Sequence, residues 1–162
     1  MTTARLADMD PTALPVPPAE AAPAVTSITL HAKSRVLEIG FADGQQFRLD
    51  AEYLRVMSPS AEVRGHGPGQ DILQVGKRAV GIRDIEPIGH YALKPHFDDG
   101  HESGLFTWDY LYWLARHRDA IWTTYLARLE AAGKSRDGAS ANVVAMASVA
   151  PAEFNPVDLR RP

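Results

Sequence analysis

The stretch Tyr91-Ala-Leu-Lys-Pro-His-Phe97-Asp-Asp-Gly100-His-Glu-Ser-Gly-Leu-Phe-Thr107 decides the fold. Its first seven residues alternate, so Tyr91, Leu93, Pro95 and Phe97 share one face of a strand. Asp99-Gly100 then supplies a tight turn, and His101–Thr107 returns as the partner strand with Phe106 joining the apolar face. A hairpin of the same kind lies upstream, where Arg35–Phe41 and Gln45–Leu49 flank Asp43-Gly44, with Ser27–His31 as a further strand. Ala79–Ile88 reads as another strand, ended by Pro87 and Gly89. Between these runs Asp50 is expected to cap a helix over Ala51–Met57 that Pro59 limits. Asp109 is expected to cap a helix reaching about Ala115. A second helix over Asp119–Ala132 carries Ile121, Trp122, Tyr125, Leu126 and Leu129 at helical spacing. The charged tract Arg116-His-Arg-Asp119 interrupts the apolar phase, which predicts a bend there, and Gly133 is a natural stop. The fold class is therefore α+β: antiparallel hairpins packed with short helices, and a helical C-terminal end.

Outside this region the order signals fade. Residues 1–25 contain five prolines and no apolar period, which describes a flexible leader. Residues 133–162 read as a flexible tail whose Val143–Val149 stretch offers an alternative as a docking segment. The folded part is placed at 26–132. Trp113, Trp122 and Tyr125 either close the core or leave an apolar stripe for self-association into a homo-oligomer.

Composition removes whole classes of function. The 162 residues carry a formal charge of −3, and the cations Arg55, Arg64, Lys77, Arg78 and Arg83 are interspersed with Glu62 and Asp71, so no basic stripe for nucleic acid is expected. There is no cysteine, which removes disulfides, thiolate metal sites and cysteine nucleophiles. No apolar run approaches the roughly 20 residues of a membrane span, and the N-terminus lacks a basic start followed by an apolar block. No membrane partner and a cytoplasmic location are expected.

The motifs that invite chemistry fail in detail. Gly65-His-Gly-Pro-Gly-Gln70 is rich in glycine, but Gly76-Lys77 is followed by Arg78 and no phosphate-loop spacing is met. His117-Arg-Asp119 spells the start of a kinase catalytic loop without its partner motifs. No Gly-x-Ser-x-Gly elbow and no evident Ser–His–acid set occurs. His96-Phe-Asp98 matches part of the two-histidine, one-carboxylate iron pattern, but the distal histidine is missing at the required separation. With a two-residue turn at 99–100, Asp98 would face His101 and His96 would face Ser103, all opposite Phe97. Two imidazoles and a carboxylate on one face can hold zinc or iron, and polar residues on one face are equally an ordinary wet surface. The candidate metal residues are His101, His96, Asp98 and His66, with Zn or Fe as the possible cofactor.

Four ordered stretches carry a resemblance. They are Leu54-Arg55, Ser58-Pro-Ser-Ala-Glu-Val-Arg-Gly-His-Gly67, Ile85-Glu-Pro-Ile-Gly89 with Tyr91-Ala92, and Phe97-x-Asp99-Gly-His101-x-Ser103-Gly followed by Trp108-x-Tyr110-Leu111. Together they resemble the gamma-butyrobetaine hydroxylase-like N-terminal domain family over about Ile28–Leu114. In that family the domain precedes an iron/2-oxoglutarate catalytic domain, stands alone in bacteria, or is fused to P-loop iron–sulfur carrier ATPases. This chain looks like the stand-alone kind. The resemblance implies a non-catalytic accessory or interaction module, not an enzyme, that serves iron–sulfur assembly factors or iron-dependent machinery. The expected contact surface is the loop Ser58–Gln70, with Ser58, Ser60, Glu62, Arg64 and His66, beside the Asp99–His101 turn. The resemblance also implies zinc held by three cysteines spaced Cys-x-Cys-x-x-Cys and by the histidine of the Asp-Gly-His turn. His101 matches that histidine, whereas Ser58, Ser60 and Val63 stand at the cysteine positions. The thiolate zinc site is therefore expected to be lacking, with a metal-binding domain rebuilt around His101 as the alternative function.

Overall fold

A computed structural model describes residues 21–64 and 72–137. The leader, the Gly-rich segment including His66, and the Val143–Val149 stretch lie outside the described residues. Two three-stranded antiparallel sheets and four helices make the α+β architecture expected from the alternation. The first sheet joins β1 (Val25–His31), β2 (Val36–Phe41) and β3 (Gln46–Asp50) in chain order. Helices α1 (Ala51–Val56) and α2 (Ala61–Arg64) follow. The second sheet joins β4 (Ile82–Ile88), β5 (Ala92–Phe97) and β6 (Phe106–Thr107), again in chain order. Helices α3 (Trp108–Arg116) and α4 (Arg118–Ala131) close the chain, broken at His117 where the apolar phase is interrupted.

The alternating residues of both hairpins build one core. Leu37, Ile39 and Leu49 from the first sheet, Leu93, Phe97 and Phe106 from the second, and Tyr53, Leu111, Leu114 and Ile121 from the helices are all buried in a single cluster. Trp113 and Tyr125 belong to it, and Trp122 packs edge-on against Tyr53 beneath Arg118 and Arg136. These aromatic residues thus close the core, and of the helical stripe Leu126 remains exposed. The Tyr53 hydroxyl donates to the Leu114 carbonyl at 2.7 Å and fixes α1 against α3.

Several details differ from the sequence reading. The second hairpin turns through three residues instead of the two expected at 99–100, as the first does between Phe41 and Gln45. The Phe41 amide donates to the Gln45 carbonyl and the Gly44 amide to the Phe41 carbonyl, and Phe97, Gly100 and His101 repeat the pattern. Gly44 and Gly100 adopt φ of 88° and 93°, while neither aspartate before them does. Asp-Gly therefore completes a type I turn with a glycine bulge. Tyr91, expected in the core, is 55% exposed because the ladder proper begins at Ala92. The returning strand is only two residues long. Residues 102–105 leave the ladder to lie against the segment after α1, where Gly104 is so close that a Cβ on it would stand 2.3 Å from Ser58 Oγ. Asp50 precedes α1 but makes no side-chain cap; its carboxylate takes Arg118 at 3.2 Å. Thr107, not Asp109, caps α3 by accepting from the Tyr110 amide, while Asp109 accepts from the Ala22 amide at 2.7 Å.

Past Gly133, whose positive φ stops α4, the chain does not leave the domain at once. The Gly76 and Arg78 amides donate to the Ser135 and Arg136 carbonyls, and Arg136 forks onto Glu52 at 2.6 and 2.7 Å. Residues 134–137 thus strap the end of α4 to α1.

Candidate functional site

His101 sits at the end of the second hairpin and is 5% exposed. Its position follows from the turn. A three-residue loop sets Phe97 opposite His101, so the imidazole lies on the buried side of the sheet with its ring centroid 5.9 Å from that of Phe97. A one-residue change of register moves a side chain to the opposite face. The gathering of His96 and Asp98 with His101 rested on a two-residue turn and is not formed. His96 instead bonds Glu86 at 3.0 Å and Glu102 at 2.9 Å. The Glu86 and Glu102 carboxylates raise its pKa. The Asp98 amide donates to the Gly81 carbonyl.

Both nitrogens of His101 are engaged. Nδ1 lies 2.7 Å from Glu62 Oε1, and Nε2 lies 2.9 Å from Ser58 Oγ. A carboxylate can only accept, so Nδ1 carries the proton and Nε2 accepts from the serine hydroxyl. Burial, with the nearby Arg55 charge, lowers the pKa of His101 and keeps this neutral tautomer, although Glu62 pulls the other way. Ser58 Oγ also accepts from the Ser60 amide at 3.3 Å, Ser60 Oγ accepts from the Glu62 amide at 3.0 Å, and Ser103 donates to Ser60 Oγ at 2.8 Å. One polar cluster thereby ties the entry to α2 to the loop after the second hairpin.

A second set of charges braces the turn from below. Arg55, itself buried, donates through Nε to Asp99 Oδ2 at 2.9 Å, and Lys77 reaches the same oxygen at 2.9 Å. Burial alone would raise the Asp99 carboxyl; the Lys77 and His101 amide hydrogen bonds with the Arg55 charge outweigh it and bring it to about 2. Arg64 donates to the Tyr110 hydroxyl and lies over that ring.

The cluster contains a serine, a histidine and a glutamate linked in the order of a hydrolase triad, which no sequence motif had announced. Ser58 and Glu62 stand close in sequence and His101 some forty residues on, so only the packing of α2 against the hairpin end brings them together. The serine is 0% exposed and Gly104 lies against its oxygen, which leaves no space for a carbonyl carbon to approach. The donors are also the wrong set for the zinc that the resemblance implied. Two hydroxyls and one imidazole, with Val63 at the remaining position, lack the thiolates that such a site requires. Among the described residues no group of three or more His, Asp or Glu side chains is arranged to hold a metal ion.

The chain is similar to several solved structures. A solution NMR structure is 53% identical, with 72% of this chain and 92% of the other covered and a TM-score of 0.64. Another NMR structure is 51% identical, covering 75% and 91%, with a TM-score of 0.63. A crystal structure of a protein of unknown function from Acidithiobacillus ferrooxidans, described as belonging to the DUF971 family, is 37% identical over 60% of this chain and 91% of the other, with a TM-score of 0.45. No curated protein matches the chain significantly. The model of the family "Gamma-butyrobetaine hydroxylase-like, N-terminal" matches residues 28–112, which contain the second half of β1, all of β2 to β6, α1, α2 and the His101 cluster, and the chain belongs to that family.

Proposed function

We propose that this protein is a non-catalytic interaction module whose contact surface is the segment Ser58–Arg64 together with the Asp99–His101 turn. The observation that carries the reading is the closed cluster at His101. Its hydrogen bonds are spent on holding two loops in one arrangement, and its serine is sealed beneath Gly104. Rigid backing of an exposed surface is what a recognition site needs, because little ordering entropy is then lost on binding. On the outer side of the cluster, the Glu62 side chain is 68% exposed. Ile72, whose amide donates to the Val63 carbonyl, is 55% exposed. An exposed aliphatic side chain beside a fixed carboxylate suits a protein partner better than a small polar substrate. The partner class rests on the family resemblance, which favours iron–sulfur assembly factors or iron-dependent enzymes; fold kinship of this kind supports the class by analogy.

The test is capture on the full chain, with Ile72→Asp and Glu62→Lys in parallel. An iron–sulfur assembly factor or iron-dependent enzyme retained by the wild type and lost from both variants is the expected result. No specific partner, or one retained equally by the variants, would overturn the reading. Elemental analysis of the same preparations addresses the alternative function: stoichiometric zinc or iron that disappears in His101→Ala would make this a metal-binding domain.

A further inference from the structure

A second feature shares no residue with the His101 cluster. Where α3 breaks into α4, a cavity of about 470 Å³ opens against β3. Phe47 and Leu49 supply its apolar lining, and Arg48, Arg116, His117, Arg118 and the carboxylate-bearing Asp119 its polar lining. Three guanidinium groups around one opening is a costly arrangement unless each is neutralised. Arg48 is met by Glu38 at 3.2 Å, a carboxylate that His31 shares at 2.8 Å. Arg118 is met by Asp50 at 3.2 Å and by the fully exposed Asp119 at 3.5 Å. Arg116 has no carboxylate partner among the described residues; it lies over the Tyr112 ring and reaches that hydroxyl at 3.4 Å. The first turn of α4, which also lines the cavity, has no side-chain cap, and the positive potential of its amide end is offset in part by Asp119 in the same turn.

We infer that this cavity binds a small phosphorylated molecule, with Arg116 as the principal phosphate ligand and Arg48 closing on the same group from β3. The guanidinium fork matches two phosphate oxygens at once, which a lysine cannot do. The volume falls in the range of small-ligand sites, and Phe47 with Leu49 offers an apolar wall for the rest of the molecule. Glu38 and Asp50 hold Arg48 and Arg118 in place before binding, and a dianion supplies the countercharge that Arg116 lacks. The cation pattern arises from the break in the helices. Arg116 and Arg118 are separated by one residue, and in an uninterrupted helix they would point away from each other.

The experiment is calorimetric titration of the full chain with inorganic pyrophosphate at low salt, beside Arg116→Gln, Arg48→Gln and the control Arg83→Gln on β4. Arg118 is left intact because it also packs over Tyr53 and Trp122. Saturable 1:1 binding is expected, weakened about tenfold or more in each cavity variant, as for loss of one charge-assisted hydrogen bond, and unchanged in Arg83→Gln. Absence of saturable binding, or Arg116→Gln binding as tightly as the wild type, would overturn the inference. Citrate binding as tightly as pyrophosphate would overturn the phosphate assignment.

Discussion

Replacing His101 by alanine is the sharpest test of the cluster described above. The imidazole is buried against Phe97, so its removal leaves a void beneath the hairpin end. Truncation of large buried side chains costs about 2–5 kcal/mol. The substitution also strips Ser58 Oγ of its acceptor, and a buried polar group left without a partner costs about 1–3 kcal/mol. Water can enter a polar void of this kind and recover part of both losses, so we expect about 3 kcal/mol in total. With a urea slope of about 1.5 kcal/mol/M the unfolding midpoint falls by about 2 M. Glu62→Gln is the matched control. Its amide oxygen can still accept from Nδ1, and the side chain is mostly solvated, so the change should stay within about 0.5 kcal/mol. Equilibrium urea unfolding followed by tryptophan fluorescence reads both variants. If His101→Ala shifts the midpoint by less than about 0.5 M, or Glu62→Gln by as much as His101→Ala, the cluster does not hold the loops together as argued.

Further outcomes follow from neighbouring geometry. Gly104→Ala drives a methyl group into Ser58 Oγ and should cost about 1–3 kcal/mol of stability by overpacking, whereas Gly44→Ala meets no atom within 4 Å and pays only for its positive φ; a Gly104→Ala protein as stable as the wild type would place the 102–105 segment elsewhere. Because the folded pKa of His101 lies below that of an unfolded histidine, the unfolded chain binds the proton more readily, so stability is full above about pH 6.5 and falls as the pH drops below it. His117 shifts in the same direction through burial and the Arg116 charge, and His96 in the opposite direction through Glu86 and Glu102, so the pH series is run in a His96→Gln, His117→Gln background; a profile flat from pH 7.5 to 5 there contradicts the buried neutral imidazole. Arg136→Ala removes the fork from the buried Glu52 carboxylate and should destabilise by about 2 kcal/mol, discounted because the arginine is partly exposed; thermal unfolding of the variant unchanged from wild type would release the 134–137 strap from any structural role.

The α+β class, the order of the strands and the break between α3 and α4 are all legible in the sequence. They depend on period-2 and period-3.6 apolar patterns, which are local and survive any packing. The family was legible too, because its separated stretches lie on those same elements. What the chain could not disclose by itself was the side of the sheet on which His101 lies. Asp-Gly closes a two-residue turn with both residues at positive φ, and it equally closes a three-residue type I turn with glycine alone at positive φ. The two differ by one residue of register, and that residue decides whether the imidazole joins His96 on the wet face or Phe97 in the core. The choice is made by contacts distant in sequence. Ser58 and Glu62 give the buried ring its two partners, Arg55 and Lys77 fix Asp99, and Gly104 admits the close approach of the returning chain. The convergence of Arg48 with Arg116 and Arg118 was equally beyond local reading, since a strand and a helix junction far apart in the chain meet only once the core has closed.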